Sequence, residues 1–199
     1  VKKVRIIHLI AIATCFVASA CGASGDSSGG TVKEHQNTSA KITMQEAAEQ
    51  QDGMLDATLD AIKPEVHWTH GATTTGTCDV TRRRVVMTIV SEERRGNLLG
   101  VVQRSWEQRG YTIKSVNKSR KFPAIFAETK DGFGISVSVG GDGQFTFSAD
   151  SPCVKHSDVA EPTTSPNGPD YKYPIPRPNV RSDFWSSDKP IAASSPSAS

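Results

Sequence analysis

Three groups of residues in this sequence could do chemistry: close-set histidines, a serine–lysine pair and several runs of arginine and lysine. His67-Trp68-Thr69-His70 lies just before Cys78 and Asp79, and zinc would need three or four such donors to converge. On a strand His67 and His70 point to opposite faces, so the expectation is surface histidines near a strand end and no metal. Ser115-Val116-Asn117-Lys118 has the S-x-x-K spacing of a lysine-activated serine, which needs the two side chains one helical turn apart. Here the tetrapeptide leaves a strand and no K-T-G follows. P-loop, Rossmann and H-E-x-x-H patterns are absent from the sequence. The reading is therefore no enzyme, no catalytic residues and no cofactor.

The cysteines say more about place than about reaction. Lys2, Lys3 and Arg5 precede an almost wholly apolar run, residues 6–17, and Ala18-Ser19-Ala20 then leads into Cys21. Basic, apolar and small in that order is an export signal. The run is too short for a permanent span, which needs about 20 apolar residues. A cysteine directly after small residues resembles the lipobox of bacterial lipoproteins, although Ala18 stands where that box usually carries Leu. The resemblance implies cleavage after Ala20 and a diacylglycerol on Cys21, a membrane anchor. Ordinary secretion after an A-x-A cut remains the alternative. The opening Val reads as a GTG start, and with the lipobox it points to a Gram-positive actinobacterium. The expected location is the outer face of the cytoplasmic membrane.

Once Cys15 leaves with the leader and Cys21 carries lipid, Cys78 and Cys153 remain. Two thiols in one small exported domain usually pair, so a structural disulfide is expected. It would close a loop of 75 residues, for which chain entropy gives about 4.5 kcal/mol as an upper-end stabilisation. Loss of Lys2, Lys3 and Arg5 takes the formal charge from +2 to about −1, and nothing in that balance favours a nucleic-acid partner.

The elements that must position these groups follow from periodicity. Residues 1–20 are signal, and residues 21–40, nearly devoid of apolar side chains, read as a lipidated flexible tether. An α+β domain is expected over 41–155. Thr43 to Glu46 is a capping box, and Met44, Ala47, Ala48, Leu55, Leu59 and Ile62 form one helix face that Pro64 ends, with a break possible at Gly53. Residues 65–70 alternate as a short strand, and 72–77 read as a Thr/Gly loop. Residues 80–90 (VTRRRVVMTIV) are strand-like, and Leu98, Leu99, Val102 and Trp106 mark a second helix ending at Gly110. Strands are expected at 111–116, 124–129 and 133–139, and a last one carries Phe145 and Phe147; Lys130-Asp131-Gly132 is a hairpin turn. Short connections favour an antiparallel sheet of about five strands with both helices on one face. Eight of the eleven prolines fall in 156–199, which reads as a largely disordered Pro/Ser-rich tail. Its aromatics Tyr171, Tyr173, Phe184 and Trp185 are expected to pack back on the sheet, or else to form a docking site within Tyr-Lys-Tyr-Pro-Ile-Pro-Arg-Pro.

The basic runs read as solvated surface. Arg82 and Arg84 share one face of a strand with Glu92 and Glu93 near enough to compensate, while Arg94, Arg95, Lys114, Lys118, Arg120 and Lys121 gather elsewhere. Anionic head groups and acidic wall polymers are the partners such charge would meet outside a membrane.

From Cys78 to Cys153 the chain resembles a family of small actinobacterial lipoproteins of uncharacterised function. The segments carrying it are VVMTIVSEERRGNLLGVVQRSWEQRGY, DGFGISVSVGGDGQF and the closing SPCV. The resemblance implies an exported, lipid-anchored, disulfide-bonded domain, and no catalytic residues. The expected role is a non-enzymatic binding or accessory module of the cell envelope; alternatively the chain serves a protein partner, as an inhibitor or envelope-complex subunit.

Overall fold

Thr43 starts the ordered body through a complete capping box: its Oγ1 accepts from the Glu46 amide and the Glu46 carboxylate accepts from the Thr43 amide. In this computed structural model, which describes residues 42–190 other than 142 and 170, the helix that follows is α1, Met44–Asp60. It runs through Gly53 without a break. The expected leader, Cys21 and the tether lie outside the described residues, as does the end of the chain from 191 onward.

Seven strands follow in one antiparallel sheet: β1 Trp68–His70, β2 Thr74–Thr75, β3 Val80–Val86, β4 Thr112–Asn117, β5 Ala124–Glu128, β6 Gly134–Val139 and β7 Phe145–Asp150. Between β3 and β4 lies α2, Glu92–Gln108. The order across the sheet is β1-β3-β7-β6-β5-β4, with β2 paired to β3. The fold is thus α+β as expected, with two more strands than the five anticipated. One is β2, inside the stretch read as a loop: two threonines offer no alternation to detect. Conversely β3 stops at Val86, because the Met87 carbonyl accepts from Asn179 and Val180 instead of a sheet neighbour.

Register separates two faces, since directly opposed residues share a side. One row runs Arg84–Phe147–Val137–Ile125–Val116 and the next Arg82–Ala149–Ile135–Ala127–Ile113. Leu55 and Leu59 of α1 and Leu98, Val102 and Trp106 of α2 join these rows in one core, so both helices cover the same face. Trp106 Nε1 donates to Thr58 Oγ1 at 2.9 Å, fixing α2 against α1. Beyond α2 the chain turns at Gly110, whose φ of +78° suits a residue without Cβ. The opposite face is a polar wall, the row Arg83–Ser148–Ser136–Phe126–Ser115.

Cys78 and Cys153 are bonded, with Cα atoms 4.8 Å apart, within the normal disulfide range. They sit at the adjoining ends of β3 and β7, and the Val154 amide donates to the Cys78 carbonyl at 2.7 Å. The expected pairing is present, and the topology explains it: the cysteines, 75 residues apart in sequence, flank two strands that are neighbours in the sheet.

The segment expected to be largely disordered differs from that expectation over 156–190. Among the described residues it has no helix or strand of its own beyond a bridge of Val180 to Thr88, yet it lies along the body. Asn167 accepts from the Trp68 amide and donates to the Val66 carbonyl, closing the open edge of β1. Trp185 is buried in the core, and its Nε1 donates to the Pro64 carbonyl at 2.6 Å. Phe184 packs partly buried beside it, and Tyr171 donates to Asn179. Tyr173 alone of the four aromatics stays out, 84% exposed.

Candidate functional site

The arginines of β3 correct the reading of a solvated charge run. Arg82 and Arg84 point into the core face and are 1% and 0% exposed. Their compensation comes from α1, not from Glu92 and Glu93. Arg84 Nη2 lies 2.8 Å from Asp52 Oδ1 and 3.3 Å from Asp56 Oδ1, and Arg82 Nε lies 3.3 Å from Asp52 Oδ2. The C-terminal segment seals the cluster: Arg82 donates to the Ala160 carbonyl and Thr164 donates to Asp56 Oδ2. Arg84 also lies over the Trp68 ring, 4.9 Å from its centroid. Burial demands that these charges be paired, because an unpaired buried charge is costly. The sequence signal is Asp52 and Asp56, four residues apart on the helix face that also buries Gln51 and Leu55.

His70 borders the same cluster. Its Nε2 is 2.8 Å from the Thr164 carbonyl, and burial together with the Arg84 charge holds its pKa below the ordinary histidine range. His67 is exposed, with Nδ1 2.9 Å from the Asn167 carbonyl. The two histidines are therefore bound separately by the C-terminal segment, and Cys78 is consumed by its disulfide. Among the described residues no three His, Cys, Asp or Glu side chains gather as a metal would require. Ser115 stands on β4 opposite Phe126, on the polar face, and Lys118 follows the strand end. Their spacing on a strand is not the helical turn that serine–lysine chemistry uses.

An open cleft lies at the other end of the inner face. It sits between α2 and the β4–β5 link, with a volume of about 450 Å³. Leu99, Val116, Pro123 and Ile125 give it an apolar floor, and Glu92, Glu93, Arg95, Lys118 and Arg120 stand on its rims. Gly96 and Gly100, four apart on α2, also line it. Glycine inside a helix costs about 1 kcal/mol relative to alanine, and here it leaves that wall smooth. This glycine pair is visible in the sequence but belongs to no catalytic motif. Arg95 lies 3.5 Å from Glu92 and crosses Gly143, where any Cβ would collide with its guanidinium.

Side-chain turns shape the link itself. Asn117 Nδ2 donates to the Phe122 carbonyl, Asn117 Oδ1 accepts from the Ser119 amide, and Ser119 Oγ accepts from the Phe122 amide. Turns of this kind satisfy the backbone locally and leave Lys118, Arg120 and Lys121 exposed. Phe122 is 49% exposed, with Lys121 Nζ 5.8 Å from its ring centroid. The site can bind; among the described residues it shows no nucleophile with an adjacent base.

The sequence matches no protein-family model and no curated protein. Among solved structures it is similar to a DUF4853 family protein from Actinomyces odontolyticus, with 11% identity, a TM-score of 0.33, and coverage of 70% of this chain and 78% of that one. A likeness of that size carries no inference about function.

Proposed function

We propose that this chain is an extracytoplasmic lipoprotein, held by a diacylglycerol on Cys21 at the outer face of the cytoplasmic membrane, and that it acts there as a non-enzymatic binding or accessory module. The observation that carries the reading is the Cys78–Cys153 bond across the adjoining ends of β3 and β7. Stable disulfides belong to oxidising compartments, and the basic, apolar, small leader supplies the route there. An open, mixed-charge cleft beside a cationic link supports binding over catalysis. Metabolic labelling with a clickable palmitate in an actinobacterial host tests the anchor. Label is expected in the wild-type chain and lost in Cys21→Ser; an unlabelled chain released to the medium would replace the anchor with simple secretion.

A second reading, a protein-partner module, is favoured by Tyr173, exposed on a segment otherwise held to the body. Removing the whole tail would also strip Trp185 from the core, so the informative variant is Tyr173→Ser. Undiminished partner recovery from envelope extracts with that variant rules the tail out as the docking element.

A further inference from the structure

We infer that the tip of the β4–β5 hairpin is a second membrane contact, one that engages anionic phospholipid head groups. The inference rests on the proposed anchoring for proximity, and its own observations are local. Residues 112–127 carry Lys114, Lys118, Arg120 and Lys121 and no acidic residue. Lys114 has its partner in Glu128, 3.5 Å away. Lys118, Arg120 and Lys121 are exposed, and they lie at the tip itself.

The same hairpin exposes apolar surface where a soluble hairpin would carry polar groups. Among the described residues four large hydrophobic side chains are exposed, and Val116, Phe122 and Phe126 of this hairpin are three of them, 40%, 49% and 44%. Phe122 is at the tip, flanked by the three cations and resting against Gly141. Cations around a projecting aromatic match an anionic interface: the charges meet head groups, and the ring enters the boundary region. Among the described residues, Glu92 and Glu93 are acids that line the adjoining cleft. They stand in the first turn of α2, where they complement the helix dipole, across the cleft from the link.

Reach permits the contact. The body begins at Thr43, bridged to Lys155 beyond the Asp150 end of β7, whereas the tip lies beside the Gly140–Gly143 turn at the Phe145 end. Six strand residues separate those ends by about 20 Å. Residues 22–41 can span at most about 70 Å, ample for the tip to face the surface that holds Cys21.

Phe122→Trp provides the probe, because Trp68, Trp106 and Trp185 are all buried. The full-length chain from host membranes, carrying this substitution, is reconstituted on vesicles of phosphatidylcholine alone or mixed with phosphatidylglycerol, each with and without brominated acyl chains. The expected result is a blue shift and bromine quenching of the added tryptophan on the phosphatidylglycerol vesicles only. Both should vanish at about 1 M salt, where the Debye length is about 3 Å, and in a Lys118→Gln/Arg120→Gln/Lys121→Gln background. Equal emission on the two vesicle types overturns the inference. A shift produced as well by soluble polyphosphate, without bromine quenching, overturns it in favour of an anionic wall polymer. Retention of the chain on phosphatidylcholine reports the Cys21 anchor separately, so its loss would count against the anchor and not against the tip.

Discussion

Two basic clusters of similar composition meet opposite fates in this molecule. Arg82 and Arg84 are sealed between α1, β3 and the C-terminal segment, while Lys118, Arg120 and Lys121 project into solvent from the β4–β5 link. What separates them is the supply of partners. Asp52 and Asp56 lie one helical turn apart directly over the first pair, whereas the acids near the second stand across an open cleft. A buried cluster with its counterions becomes part of the architecture; the exposed one, with no ion pair among the described residues, is the cluster for which a membrane contact is proposed. The inner-face row that begins at Arg84 ends at Val116, so one sheet face serves both purposes.

The sharpest test of this contrast is deletion of one buried cation. Arg84→Ala leaves Asp56 without a cation and Asp52 with Arg82 alone, and chemical denaturation should register a loss of about 3–5 kcal/mol. Restoring neutrality with Asp56→Asn in the same chain, which leaves the Arg82–Asp52 pair intact, should recover part of that loss. Trp185→Ala asks whether the C-terminal segment belongs to the body at all. A buried tryptophan truncated to alanine costs about 3–5 kcal/mol, and a change below about 0.5 kcal/mol would mean the segment contributes nothing to the core.

A smaller effect is expected from pH. His70 has its folded pKa depressed by burial and by Arg84, so the unfolded chain binds the proton first, near the ordinary value of about 6.5. The contribution of this group is complete above that value. It declines as pH falls from about 6.5 toward the lower folded pKa, and urea midpoints should drop more for the wild type than for His70→Gln across that window. The smallest effect belongs to the exposed cluster. Neutralising Lys118, Arg120 and Lys121 together should move stability by no more than about 0.5 kcal/mol. A large loss there would erase the distinction between the two clusters.

Local chemistry made much of this legible from sequence. The Thr43–Glu46 capping box, the alternation through Ile135, Val137 and Val139, and the lone cysteine pair each act over a short range or by elimination, and each appears as read. The fate of Arg82 and Arg84 did not follow, because their carboxylates lie about thirty residues upstream on a helix whose buried face was identified from apolar residues alone. The C-terminal segment was legible only through its aromatics, of which Trp185 and Phe184 pack back as read. Thr164, Asn167, Val180 and Trp185 hold it through scattered single contacts, and such contacts leave no period to detect. For the cleft, the glycine pair at 96 and 100 was a visible sign, but its meaning depends on the β4–β5 link that faces it.

The proposed lipid on the Cys21 thiol would make the disulfide-closed body a leashed module. Mass spectrometry of the amino-terminal peptide from the native membrane-bound chain tests it most directly. The predicted result is a peptide beginning at Cys21 with a diacylglycerol on its sulfur; an intact leader, or an unmodified Cys21 in a cytosolic pool of the full polypeptide, would contradict it.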